Sequence, residues 1–267
     1  MKSSQSAHRS LLACCQKFLF VAYASMLSAL LPLHAQTTEN KQTLFGIGTA
    51  SILDTYLSPE EYKGISVCVL SIHERQKADS PWTRQTLWAF HVTKASNRAN
   101  NADILGGHLD FQYDWLRSVP CSYVNLKAGP SAGATAGGLY NTRNGNNPAQ
   151  LLANADASIT VAADRGLQLF HKDLHISYYA SLPLFGAAFS PQYGQSYYEI
   201  FTQGNYDHNI ILNTPLHALS LRHILTVDIP IRNHHLRVGY LGDYRQREAN
   251  SLKHHHYAHE LLLGYSL

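Results

Sequence analysis

Charge is scarce in this chain. Charged residues make up 15% of its 267 residues, against roughly 25% in an average soluble domain. With 45% hydrophobic residues, that excludes a disordered polyelectrolyte and a charge-driven nucleic-acid binder. The formal net charge of +3 comes from the first 35 residues, which hold Lys2, Arg9 and Lys17 and no acid. The remainder is formally neutral. Methionine is absent after Met26, and only Cys68 and Cys121 remain of the 4 cysteines once Cys14 and Cys15 are set aside with the leader. There is no paired CxxC, no phosphate-cradling glycine loop and no nucleophile elbow, so the usual sequence signatures of zinc modules, nucleotide enzymes and serine hydrolases are missing. Beyond residue 35 no apolar run reaches the length of a membrane-spanning helix.

What is present begins with an address. Lys2 and Arg9 form a basic head, Phe18–Leu33 is almost wholly apolar, and Leu33-His34-Ala35 supplies a small-residue cleavage pattern. Residues 1–35 read as a cleaved secretory signal peptide, leaving 36–267 as one domain in a disulfide-permissive compartment. Cys68 and Cys121 read as two separate buried thiols, with a bridge between them as the alternative.

From residue 43 onward the dominant pattern has period two. In 105–115, Leu105, Leu109, Phe111, Tyr113 and Trp115 share one face, and His108, Asp110, Gln112 and Asp114 the other. In 219–231, Leu221, Leu225, Val227 and Ile229 oppose Arg222 and Asp228; in 236–245, Leu236, Val238, Tyr240 and Tyr244 oppose Arg237, Asp243 and Arg245. The spacing predicts strands near 43–57, 64–75, 83–95, 103–117, 121–136, 151–163, 166–180, 217–229, 234–247 and 255–267. A further pair is expected in 196–203 and 208–213. Asp164-Arg165-Gly166 reads as a turn, and the Gly/Asn-rich 137–148 as a loop.

Alternation fits soluble and membrane barrels alike. Three features favour the membrane. Several predicted strands are long enough for a tilted span, which needs about 9–11 residues. The polar face carries full charges (Asp110, Asp114, Lys127, Asp173, Arg222, Asp228, Arg237, Asp243, Arg245), as the interior of an outer-membrane barrel does. Aromatics at strand ends (Tyr113, Trp115, Tyr178, Tyr179, Tyr244, Tyr265) suit interfacial girdles. The expectation is an all-β, transmembrane antiparallel β-barrel of twelve strands, with ten as the alternative. The alternating Leu263, Tyr265 and Leu267 suit recognition by a barrel-assembly machinery.

Two stretches are distinctive. Leu53-Asp54-Thr55-Tyr56-Leu57-Ser58-Pro59-Glu60-Glu61-Tyr62-Lys63-Gly64 resembles the opening of an uncharacterised outer-membrane β-barrel family of Bacteroidota, and Ser190-Pro191-Gln192-Tyr193-Gly194-Gln195-Ser196-Tyr197-Tyr198-Glu199-Ile200 resembles that family's second characteristic segment. The resemblance spans the mature chain and implies an outer-membrane location and a barrel, with no reaction attached.

Candidate site residues follow from the same stretches. Asp54, Tyr56, Ser58, Glu60 and Tyr62 could gather at the extracellular rim. Their look is loosely similar to the first strand of the lipid A deacylases, although the fuller acidic and Asn pattern of those enzymes is absent. There, Asp54 with a strand histidine could supply a base. Tyr193, Ser196, Tyr197 and Tyr198 could bind a sugar or lipid headgroup by stacking and hydrogen bonding. His254, His255, His256 and His259, the pair His234-His235, and the alternating His171, Asp173 and His175 read as lumen or surface histidines, with no metal or other cofactor required. The leading expectation is a non-enzymatic barrel with a narrow polar lumen, a small channel or surface-binding module in contact with outer-membrane lipid or lipopolysaccharide. An outer-leaflet acyl-ester hydrolase and a soluble periplasmic ligand binder are the alternatives.

Overall fold

The computed structural model describes residues 37–78, 80–169, 172–231 and 234–266. The expected leader, His171 and Leu267 lie outside them. Eleven strands follow in order: β1 Thr37–Asp54, β2 Glu61–Lys77, β3 Trp82–Asn97, β4 Asp103–Val119, β5 Asn125–Asn141, β6 Ala149–Leu169, β7 Lys172–Phe189, β8 Ile210–Asn213, β9 Leu221–Ile231, β10 His234–Ala249 and β11 Leu252–Ser266. A short helix, α1 Tyr197–Phe201, precedes β8.

The ladders close. β1 pairs antiparallel with both β2 and β11, and β6 pairs with β7, so ten strands form a ring. β8 lies outside the ring and pairs only with residues 186–189 of β7. The count is therefore ten, not twelve. The expected strand at 196–203 is the helix α1 instead, because Ser196 and Glu199 form a capping box: Ser196 Oγ accepts from the Glu199 N–H at 3.2 Å and Glu199 Oε2 accepts from the Ser196 N–H at 2.6 Å.

Two turn expectations also fail, for different reasons. β6 runs through Asp164-Arg165-Gly166, where Arg165 pairs with Ile176 and Gly166 with His175. Gly137 and Gly138 belong to β5 rather than a loop. A Cβ on Gly137 would lie 2.2 Å from the Gly107 oxygen and 2.5 Å from the His108 Cα, so this glycine serves close strand approach, not chain reversal.

Parity sorts the side chains as the period-two pattern requires. Asp110, Asp114, Lys127, Asp228, Arg237 and Asp243 are buried in the lumen. Outside, positions facing away from the lumen in 43–51, 65–71, 86–92, 105–115, 126–140, 151–163, 174–187, 221–231, 236–246 and 255–263 hold no Asp, Glu, Lys or Arg. The polar groups that do face out satisfy one another: Tyr240 Oη lies 2.6 Å from His259 Nδ1 and 3.2 Å from Tyr244 Oη. Two expectations need correction here. Tyr179 faces the lumen, where its hydroxyl donates to Asp114, rather than joining an outer girdle. Asp173 is exposed at the end of β7, beyond the lumen. Cys68 and Cys121 are free; Cys68 is buried, but Cys121 is exposed in the β4–β5 turn.

The lumen is layered. Leu44, Leu70, Leu87, Ile224, Leu241 and Leu262, with Cys68, Ala89 and Tyr179, form an apolar plug across it. A second apolar cluster seals the end where β1 turns into β2: Ile52, Tyr56, Leu57, Tyr62, Ile104 and Leu252 pack together with Ala95, Ala102 and Leu139. The lumen is thus less uniformly polar than expected. Polar residues fill the layers between and beyond the clusters.

Candidate functional site

Between the plug and the sealed end lies a cavity of about 130 Å³. Its polar lining comes from three walls. β4 supplies His108 and Asp110, β6 supplies Asn154 and Asp156, and β9, β10 and β11 supply Arg222, Asp243, Arg245, Arg247, His254 and His256. Alternation delivers these groups: 222 on β9, 243, 245 and 247 on β10, and 254 and 256 on β11 all fall on the inward parity of their strands.

Four of these residues lock one another. Arg222 Nη2 donates to Asp110 Oδ2 at 2.5 Å and to Asp243 Oδ2 at 2.8 Å. Arg245 Nη2 donates to the same two oxygens, each at 2.6 Å, while its Nη1 reaches Asp110 Oδ1 at 3.0 Å. Two guanidiniums against two carboxylates is neutral, and charge-assisted pairing is what makes their burial tolerable. A second network lies beside the plug: Gln112 Nε2 and Gln85 Nε2 donate to Asp114 at 2.7 and 2.9 Å, and the Tyr179 hydroxyl donates at 3.2 Å. Towards the chain-terminus end, Arg237 pairs with Asp228, and Lys127 with Glu74.

Other lining groups are not locked. Among the described residues the Arg247 side chain makes no hydrogen bond and no ion pair, and the carboxylate that acts on it at longer range is Asp54. Asp156 lacks a cation, but Asn154 Nδ2 and Ser158 Oγ donate to it at 3.1 and 2.8 Å. Both ring nitrogens of His91 and the Nε2 of His108 are buried without a hydrogen-bond partner.

Ligand atoms of His91, His108, Asp110 and Asp243 lie within 4.8 Å of one another, as do those of Cys68, His91 and Glu260. The first set could in principle hold a metal ion. Its carboxylates are already engaged by Arg222 and Arg245, so a dication would face two guanidiniums at contact distance. The donor set does not suit one.

The residues singled out from sequence divide. Asp54 is buried, and its Oδ2 lies 2.9 Å from His254 Nδ1. Its Oδ1 accepts the Tyr56 N–H and folds the β1–β2 turn inward. Tyr62 is buried in the sealing cluster, with its hydroxyl accepting from Asn141 Nδ2 at 3.1 Å. Tyr197 packs against the same cluster and against the Tyr56 ring. Its hydroxyl donates to Gln150 Oε1 at 2.9 Å and accepts the Leu151 N–H at 2.6 Å. Burial pushes the Tyr197 phenol up to about 12, and raises that of Tyr56 as well. Ser196 caps α1, while Tyr193 stands apart, 76% exposed. The structure therefore brings Asp54, Tyr62 and Tyr197 together at one end of the barrel and leaves Tyr193 outside that group. Ser58 Oγ accepts the Glu60 N–H, and Glu60 Oε2 accepts from Asn97.

The histidines scatter. His254 pairs with Asp54, His255 faces outward, and His256 lines the cavity. His175 pairs with Asp164 and Asp228 near the termini.

Arg247 and Asp156 were not singled out in the sequence, although continuing the parity of Arg237, Asp243 and Arg245 by one step reaches Arg247. Nothing local marks which lumen residues border an empty space rather than a filled one.

The family described as Protein of unknown function (DUF3316) matches residues 11–266. The chain belongs to this family. No curated protein matches it. Among solved structures, the translocator domain of the autotransporter NalP from Neisseria meningitidis aligns over 96% of this chain and 97% of that one, at 11% identity and a TM-score of 0.36.

Proposed function

We propose that this DUF3316 protein is an integral outer-membrane β-barrel with a shut lumen, acting as a binding module rather than an open channel. The observation that carries the membrane reading is the outer surface. Around the whole ring, the outward positions form a charge-free belt with exposed Phe45, Ile65, Trp88, Phe90, Leu109 and Leu261, while the charged side chains turn inward and pair. A soluble barrel would invert this arrangement; a lipid-facing one requires it. The ladders close into a ring, as a spanning sheet needs, with one short interruption at residues 182–185 of β7.

Loop lengths support one orientation. β2 and β3, β4 and β5, β6 and β7, and β9 and β10 follow one another at the end where β1 begins and β11 finishes, whereas the long 190–220 connection lies at the other end with 142–148 and the shorter 55–60, 98–102 and 250–251. Short turns face the periplasm and long loops the exterior. Residues 1–35 act as the export signal on this reading, the barrel-assembly machinery inserts the chain, and outer-membrane lipid surrounds it. Two apolar clusters across the lumen support a binder over a channel.

The hydrolase reading keeps one specific support, the Asp54–His254 contact, which orients an imidazole towards general-base work. Among the described residues no serine or threonine hydroxyl bonds to His254, so the dyad lacks a protein nucleophile and would have to activate water.

Envelope fractionation and a heat-modifiability gel test the membrane reading, and planar-bilayer recording tests the shut lumen. Recovery in the outer-membrane fraction, a faster unheated band and no conductance steps are expected. A soluble protein, or regular single-channel steps, would overturn it.

A further inference from the structure

The cavity is closed above and below, yet it is not closed on all sides. The β7–β9 ladder ends at the pair Ser181–Arg222, and the β7–β8 ladder begins at Gly186–Asn213. Residues 182–185 of β7 therefore pair with β6 alone. Pro183 has no N–H to offer, and the register on β6 slips between Ala157 and Ser158, leaving Leu184 bulged. On the other side of the break the chain swings away towards β10, where the Glu248 N–H donates to the His217 oxygen. Both edges of this break line the cavity: Pro183, Leu184 and Phe185 on one, and Thr214, Ala218 and Leu221 on the other. The barrel wall has a side opening, and it leads into the chamber.

The opening faces the apolar belt. Its β6 neighbours Ala157 and Ser158 sit midway along the outward apolar run from Leu151 to Ala163. The surface around it is apolar and strongly exposed: Phe185 is 64% exposed, Leu212 83% and Leu216 88%. Inside, the Arg247 guanidinium makes no hydrogen bond and no ion pair, with the Asp54 carboxylate acting on it only at longer range; it lies beside His254 in the β10–β11 register, with His256 on the same lining. Asp156, the carboxylate on the lining with no cation, is already solvated by Asn154 and Ser158. Size limits the guest. An apolar cavity of ~150 Å³ takes a benzene, so this chamber of about 130 Å³ takes a carboxylate and its first methylenes, not a disaccharide headgroup.

Resting on the membrane-barrel reading above, we propose that the chamber binds a long-chain carboxylate that enters sideways from the bilayer between β7 and the 214–221 segment. The carboxylate meets Arg247, and the alkyl chain leaves through the opening, past Leu184 and Phe185. Two-oxygen recognition by a planar guanidinium is the geometry Arg provides and Lys does not.

The test uses the full barrel purified in an uncharged detergent, with stearate carrying a diazirine near its methyl end. Saturable labelling that maps to Leu184, Phe185 and the 214–221 segment is expected, and unlabelled oleate should compete while its methyl ester should not. Arg247→Gln should weaken uptake at least tenfold, with Arg247→Lys recovering only part. Ala218→Trp, which fills the opening, should abolish uptake, whereas Val67→Trp on the outer face of β2, five ladder steps from β7, should not. If Ala218→Trp loses its heat shift, the label map of the unaltered protein decides alone. Label spread evenly over the belt, equal competition by the methyl ester, or no saturable uptake by a folded, non-conducting membrane barrel would overturn this inference and leave the membrane-barrel reading standing. Recovery of the protein as a soluble species would overturn that reading instead.

Discussion

Arg245 Nη2 lies 2.6 Å from Asp110 Oδ2, although β10 and β4 are five ladder steps apart around the ring. The contact spans the lumen and fixes its width at two side chains. Arg222 and Asp243 complete the cluster, so removing one carboxylate leaves two buried guanidiniums sharing the other. Asp110→Asn should cost roughly 3–5 kcal/mol, the usual penalty for orphaning a buried charge. Denaturant unfolding in detergent or vesicles reads it. The double change Asp110→Asn with Arg245→Gln should cost less than the two single changes added together, since their effects couple through contact. Additive losses would mean that the pair is not a unit.

The apolar plug makes a separate prediction. Leu87 and Leu241 are fully buried within it. Leu87→Ala and Leu241→Ala should each lower stability by about 2–5 kcal/mol. The temperature at which the fast gel band disappears would fall accordingly. Neither single change should open a conducting path, because the cluster around Tyr56 and Tyr62 still seals the other end.

Cysteine labelling tests the orientation. Cys121 is exposed in a turn at the end holding both termini, while Cys68 is buried in the plug. On intact cells a membrane-impermeant maleimide should label neither. After the outer membrane is permeabilised it should label Cys121 alone, and Cys68 only after denaturation. The Tyr123 and Val124 amides lower the Cys121 thiol below its ordinary range. Its labelling rate should therefore reach half-maximum at a lower pH than that of a free cysteine thiol, since the reactive thiolate forms at lower pH. Labelling of Cys121 on intact cells would invert the orientation.

The ring of ladders was legible in the sequence because nearly every strand keeps one parity along its length, and parity depends only on the pleat. The lumen charges Asp110, Asp243, Arg222 and Arg245 followed from it directly. What was not legible lies where parity breaks. Pro183 and the Leu184 bulge interrupt β7 where its alternation fades, just before the 196–203 and 208–213 segments that the twelve-strand count needs. Tyr179 reads like a girdle residue beside Tyr178, but neighbours on a strand face opposite ways, and Asp114 offered its hydroxyl a buried partner. Tyr62 and Tyr197 were singled out as rim binders. Their hydroxyls are engaged by Asn141, Gln150 and Leu151, contacts made across distant strands that no local pattern announces.

Tyr197 ties the long outer connection to the barrel, and that tie can be cut cleanly. Tyr197→Phe removes both hydrogen bonds of its hydroxyl and keeps the ring on the Tyr56 side. A loss of roughly 1–3 kcal/mol is expected for leaving the partners unpaired. Limited proteolysis within 190–209 should accelerate while the strands stay resistant. Alkaline pH should mimic the change. The Tyr197 phenol is raised to about 12 by burial, so the folded chain keeps it protonated above the ordinary value of about 10. Its contribution is present below pH 10 and fades as pH climbs from 10 towards 12. Proteolysis of the unaltered chain should rise over that window, and the Tyr197→Phe chain should show a flatter profile.

The outer belt offers the sharpest discrimination between a lipid-facing and a water-facing barrel. Leu109 points outward from the middle of β4, 44% exposed, in a run without charge. In water, Leu109→Arg at such a site would change stability by well under about 1 kcal/mol, because surface substitutions away from special features are nearly neutral. Facing hydrocarbon, the same change should cost about 2–4 kcal/mol near the midplane. Lys94→Arg, at the edge of the belt on β3, should cost nothing in either setting. Unfolding titrations in phospholipid vesicles compare the three proteins directly. A large loss for Leu109→Arg with none for Lys94→Arg places the belt against lipid. Equal, negligible effects would mean that water lies outside the barrel, and the charge-free surface would then need a protein partner to cover it.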